Sequence, residues 1–140
     1  RSWLMSVRTG RVAARAFQQV EARRALPDKA RKNYGAYAHK LPGMILQNGL
    51  AHATGFLLAK SASSEEHGLL LDDLRSVLNE TGSIRADDRL SLHKAILEAD
   101  LMTGLRQSRA ALEAAAWLKR YVQGVLKVDA TGETEGAKNP

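Results

Sequence analysis

The sequence of 140 residues contains no cysteine. That excludes a disulfide framework, cysteine-ligated zinc and thiol catalysis, and it fits a reducing cytoplasm. β-Branched aliphatics are scarce: 7 Val and 3 Ile stand against 22 Ala and 20 Leu. Val and Ile fill strands whereas Ala and Leu favour helices, so a β-sandwich or a parallel α/β sheet is disfavoured. No apolar run approaches the roughly 20 residues of a membrane helix, so no membrane partner is expected. Aromatics are few, with 2 Trp, 3 Tyr and 2 Phe. They leave little material for a surface on which nucleobases stack. The length suits one domain that buries about two-thirds of the surface its unfolded chain exposes.

Acid is scarce in the first half of the chain. Residues 1–64 hold 11 Lys+Arg and 2 Asp+Glu, a net of +9, whereas residues 65–140 hold 10 and 13, a net of −3. Such asymmetry points to a polyanionic partner for the N-terminal half, the alternative being a solvated basic face that maintains solubility.

Periodicity organises the chain into helices. The first spans about Trp3 to Ala25, with Ala13, Ala16, Phe17 and Val20 at helical spacing, and Gly10 makes its first turns irregular. Pro27 breaks it, and Asp28 then caps a second helix from Lys29 to Lys40. Ala30, Tyr34, Tyr37 and Leu41 form the apolar stripe of that helix, leaving Lys29, Arg31, Lys32 and Lys40 off it. Pro42 suits the first turn of a third helix, about Pro42 to Ala62, apolar on most sides and therefore the expected centre of the bundle. Gly49 and Gly55 are expected to admit a neighbouring helix. Ser63 and Glu66 read as a capping box opening a fourth helix through Leu70, Leu74 and Leu78, stopped at Gly82. Asp87 and Asp88 place acid at the start of a fifth helix with Leu92 and Ile96. Asp100 caps the last, roughly Leu101 to Lys127, whose stripe shifts at Lys119 toward Trp117 and Leu118. The expectation is an all-α, single-domain compact bundle of about six helices over 1–128, followed by a disordered polar tail over 129–140.

No catalytic constellation emerges. The four histidines, 39, 52, 67 and 93, form no HExxH-type pair, and the chain has no phosphate loop, nucleophile elbow or dinucleotide turn. The pairs Glu65/Glu66, Asp72/Asp73 and Asp87/Asp88 are adjacent in sequence, and neighbours on a helix point about 100° apart, so they do not converge on one ion. No enzyme activity, cofactor or metal is expected. Asn48 and His52, one turn apart, are read as a buried pair bonded to a kinked backbone rather than as ligand contacts. The remaining constellation is cationic: Arg23, Arg24, Lys29, Arg31, Lys32 and Lys40, then Lys119 and Arg120 beside Trp117 and Tyr121. Backbone phosphates need positive charge along a track with no particular donor pattern, which scattered Lys and Arg on helix faces supply.

Two stretches carry a resemblance. LPGMILQNGLAHATGFLLAK, Leu41 to Lys60, and WLKRYVQG, Trp117 to Gly124, resemble the small helical subunit of type III-B, or Cmr-type, CRISPR effector complexes. The matching positions are Leu41, Pro42, Ile45, Asn48, Gly49, Leu50, Phe56 and Lys60, then Trp117, Leu118, Lys119, Arg120 and Tyr121. Leu105-Arg106 departs from the aromatic-Arg more usual in the family. The resemblance covers about residues 10–127. It implies a non-catalytic, all-α protein of cytoplasmic antiviral defence, whose partners are the other Cmr subunits and further copies of itself. Copies are implied to stack head to tail beside the subunits that hold the guide, with a basic face on the crRNA and target RNA backbones. Arg24, Lys29, Lys32, Lys40, Lys119 and Arg120 are the expected phosphate contacts. Two other classes remain: a helix-turn-helix regulator, disfavoured because the helix after the best turn is apolar, and a purely structural adaptor bundle.

Overall fold

The apolar stripes become the buried faces of six α-helices in the computed structural model, which describes residues 2–134. They are α1 (Ser2–Ala22), α2 (Asp28–Asn48), α3 (Leu50–Lys60), α4 (Glu65–Thr81), α5 (Arg89–Leu97) and α6 (Leu101–Tyr121). A 3₁₀ turn, Arg23–Ala25, extends α1, and a π-helical turn, Val122–Leu126, extends α6. Helix α1 passes through Gly10 unbroken, held by Val12, Ala16 and Val20, which are fully buried.

The central helix is α4, not the third helix that the sequence pointed to. It packs against all five others, and it buries Leu70, Leu71, Leu74, Val77 and Leu78. Helix α3 buries one face only, with Leu50, Ala53, Thr54 and Leu57. Leu46, counted toward its apolar surround, belongs to α2 and is 74% exposed. Asn48 and His52 are both exposed, so the expected buried pair does not form.

The second correction concerns Pro42. It lies inside α2 rather than opening α3. An internal proline costs about 3 kcal/mol through its missing N–H and its ring. Continuing the helix keeps Tyr34, Ala38, Leu41 and Ile45 on one buried face. Burying Leu41 and Ile45 contributes about 1.5–3 kcal/mol each, which offsets the proline. The break falls instead at Gly49, whose φ of 92° is a glycine conformation. Gly55 does admit a close neighbour: a Cβ there would lie 3.2 Å from the ring of His93.

Two expected caps shift by one residue. Pro27, not Asp28, precedes α2, and the Asp28 carboxylate pairs with Arg31 at 2.5 Å and Lys32 at 3.3 Å. Ser64 replaces Ser63 at the head of α4 without a side-chain cap bond, which makes His67 the third helical residue. The Ser64 hydroxyl is therefore 2.7 Å from His67 Nδ1, and Glu66 accepts from Asn33 instead of reaching back. The remaining signals hold. Gly82 ends α4 at φ 79°, Asp88 and Ser91 form a capping box on α5, and Asp100 accepts the Thr103 N–H at 2.8 Å. The cap bonds from Ser91 and Thr103 hold the carboxyls of Asp88 and Asp100 below the usual carboxylate range.

Leu101 and Leu105, expected in the stripe of α6, are 77% and 49% exposed, while Leu118 is fully buried where the stripe shifts. Residues 129–134, read from the sequence as the start of a disordered tail, form a turn closed by a bridge between Val128 and Thr134. Residues 135–140 lie outside the described residues.

Candidate nucleic-acid interface

The six expected phosphate contacts fall into two kinds. Arg24, in the 3₁₀ turn, pairs with Glu21 at 3.0 Å, and Lys32 pairs with Asp28 at 3.3 Å and approaches Glu133 at 3.9 Å. Lys29, Lys40, Lys119 and Arg120 make no ion pair among the described residues. Lys29, Lys40 and Arg120 are exposed, and Lys119 is half-buried. Lys29 and Lys40 are eleven residues apart on α2, three turns and about 16 Å, which returns them to nearly the same face. Arg24 and Arg31 border a recess of about 270 Å³ with Val125 and Leu126, so the end of α6 meets the corner between α1 and α2.

Arg120 lies over Trp117, its guanidinium carbon 4.4 Å from the ring centroid. Trp117 stacks on Tyr121 at 5.6 Å, and Phe17 of α1 meets Tyr121 edge-on at 5.5 Å. Phe17 is 42% exposed. Three of the seven aromatics are thus gathered beside the late Lys-Arg pair, a grouping that needs α1 and α6 to be neighbours. A basic cleft lined by Arg11, Arg15, Arg75 and Arg85 was also missed, because its members span 75 residues of sequence and converge only in the fold.

Much of the charge asymmetry is neutralised inside the chain. Arg8 pairs with Glu113 at 2.9 Å, Arg15 with Glu80 at 3.5 Å and Arg23 with Asp73 at 2.7 Å. Neighbouring Asp72 points elsewhere and takes Arg89 in two bonds of 2.8 and 2.9 Å. These bonds raise the pKa of both Arg23 and Arg89.

Three histidines have intramolecular partners. His39 Nε2 is 2.8 Å from the Val128 carbonyl, His93 Nδ1 is 2.8 Å from the Thr54 hydroxyl, and His67 stacks on Tyr37 at 3.8 Å. Among the described residues no three of His, Asp and Glu gather as a metal would need, and no helix is long and apolar enough to cross a membrane.

Fold and surface define a small all-α protein whose cations lie on several distinct faces. Over residues 8–125 the chain matches the family described as CRISPR-associated protein (Cas_Cmr5), and it belongs to that family. It is 35% identical over 115 residues to the CRISPR system Cmr subunit Cmr5 of Thermus thermophilus, covering 82% of this chain and 92% of that one. The crystal structure of a CRISPR-associated Cmr5 family protein, also from Thermus thermophilus, superposes with a TM-score of 0.72 at 31% identity. That match covers 87% of this chain and 98% of the other.

Proposed function

We propose that this chain is the non-catalytic small subunit of a cytoplasmic type III-B, or Cmr, CRISPR effector complex in antiviral defence. One observation carries the reading: Lys29, Lys40, Lys119 and Arg120 make no ion pair among the described residues, while many of the arginines of the first half are bound to carboxylates. Such cations on α2 and late α6 suit the phosphates of a guide–target RNA duplex, with base pairing supplying the sequence recognition. Arg24 and Lys32 add to these cations by exchanging their surface carboxylate partners for phosphate. The Thermus thermophilus relative, itself described as a Cmr subunit, supports other Cmr subunits as partners.

Stacking between copies has its own support. At one end of α3, Leu97, Leu101 and Met102 are 62%, 77% and 61% exposed beside Glu98 and Asp100. At its other end, Lys40 and Lys60 border a pocket of about 270 Å³ walled by Tyr37, Met44, Phe56 and His67. An acid-flanked apolar corner and a lysine-bordered apolar pocket are complementary, and because they are different surfaces they join copies head to tail.

Reconstitution tests the assignment. The full chain mixed with the other Cmr subunits and guide RNA is expected to co-elute in the assembled complex. A chain that remains outside the complex under conditions where the other subunits assemble contradicts it.

A further inference from the structure

We propose that the cleft between α1 and the α4–α5 connection is a phosphate-binding site. Arg11 and Arg15 project into it from α1, one turn apart, Arg75 from α4 and Arg85 from the connection. The cleft is open and encloses about 500 Å³. Among the described residues Glu80 is the one carboxylate in its lining, 3.8 Å from Arg11 Nε and 3.5 Å from Arg15 Nη2. Both contacts are long and solvated, and such pairs hold their partners weakly. Four guanidinium groups thus line a cleft whose carboxylate meets two of them, Arg11 and Arg15, while Asp88 acts on Arg75 through its charge.

The floor of the cleft is organised in advance. Asn79 clamps Ala86 with its side chain, donating to the carbonyl at 2.8 Å and accepting from the N–H at 2.9 Å. Arg75 Nη1 donates to the same carbonyl at 3.3 Å, which fixes its guanidinium at the base. The Arg75 Nε–H is buried and makes no hydrogen bond among the described residues. Arg85 is exposed and makes no ion pair among them. A bound oxyanion offers acceptors to the guanidinium N–H groups of Arg11, Arg15 and Arg85 that the open cleft presents. Mutual repulsion among four cations in one cleft is relieved by the same anion. The planar guanidinium fork matches phosphate oxygens in pairs, so the ligand class is a phosphate group, favoured when doubly charged. The cleft contains none of Lys29, Lys40, Lys119 and Arg120, and the proposal does not rest on the RNA reading.

Thermal melting of the full chain in sodium pyrophosphate, against sodium chloride of equal ionic strength, tests the site. A saturable rise of about 5 °C is expected at a pyrophosphate concentration tenfold above its Kd. Arg11→Gln and Arg85→Gln, both at exposed positions, are each expected to melt within about 2 °C of the parent without ligand and to bind pyrophosphate about tenfold more weakly. Short RNAs with and without a 5′-phosphate separate the sources. A preference for the phosphorylated RNA assigns the cleft to a terminal phosphate, and equal binding lost in both variants assigns it to the diester backbone. Pyrophosphate that stabilises no better than chloride overturns the proposal, as does undiminished binding by the Arg11→Gln/Arg85→Gln double variant. A response to polyglutamate but not to pyrophosphate overturns it in favour of an acidic protein segment.

Discussion

Asp73 Oδ1 and Oδ2 receive the Nη2–H and Nε–H of Arg23 at 2.7 and 2.9 Å, and the aspartate side chain has no solvent exposure. The same carboxylate accepts from the Tyr34 hydroxyl at 2.5 Å and from Gln19 Nε2 at 2.7 Å. One side chain on the central helix therefore fastens α1, the 3₁₀ turn and α2, and it sets the corner from which the exposed cations of α2 extend.

Removing one partner of this buried pair leaves a charge without compensation. Arg23→Met is expected to lower stability by about 3–5 kcal/mol in denaturant unfolding. The Arg23→Met/Asp73→Leu double variant is expected to recover part of that loss, though not all, because the Tyr34 hydroxyl and the Gln19 amide are then orphaned. Burial, then the Asp73 charge, holds the Tyr34 hydroxyl well above its usual pKa of 10. Above pH 10 the unfolded chain ionises this group and the folded chain does not, so stability falls as pH rises. Alkaline melting curves are expected to show that fall and to lose part of it in Tyr34→Phe.

His67 gives the opposite pH dependence. Burial first, then the charges of Lys60 and Lys40, hold its pKa below the usual 6.5, with Glu66 opposing them. As pH drops through 6.5 the unfolded chain takes up a proton that the folded chain refuses, so stability falls until the folded pKa is reached and then levels. Melting temperatures from pH 7.5 down to pH 5, about the range where histidine charge changes, are expected to fall more steeply in the parent than in His67→Gln. Equal slopes would show that His67 contributes nothing to the pH dependence.

Two glycines of α2 are expected to respond with opposite signs. At Gly35 a Cβ would lie 2.5 Å from Val128 Cγ1 and 2.7 Å from its Cβ, in a fully buried contact. At Gly43 nothing lies within 4 Å. Gly43→Ala is expected to stabilise by about 0.5–1 kcal/mol through helix propensity. Gly35→Ala is expected to destabilise by about 1–3 kcal/mol through overpacking and to speed proteolytic cleavage near Lys127 as the C-terminal segment lifts from α2.

The helix count, the Gly82 stop, the acid at the start of α5 and the Asp100 cap were legible because each depends on a few residues close in sequence. Pro42 misled because a local penalty was outweighed by burial of Leu41 and Ile45, which only the tertiary fold supplies. The centrality of α4 was hidden for a related reason: its polar residues look solvent-facing until Asp73 is seen to meet Arg23 and Asp72 to meet Arg89. Counting charges showed where cations lie along the chain, but not that Arg8, Arg15 and Arg23 are matched by acids more than 45 residues away. Lys29, Lys40, Lys119 and Arg120 were legible as cations, whereas their lack of ion-pair partners among the described residues is a property of the folded surface.

The most direct test of the RNA role is the salt dependence of target RNA binding by the assembled complex, compared between the parent and the Lys119→Glu/Arg120→Glu variant. Arg120 is exposed and Lys119 makes no ion pair among the described residues, so the bundle should lose no more than about 1 kcal/mol of stability. The account predicts weaker target binding and a plot of log K against log salt shallower by about 2 for each copy of this chain that contacts the duplex. An unchanged affinity and slope in a complex that retains the variant subunit would contradict it.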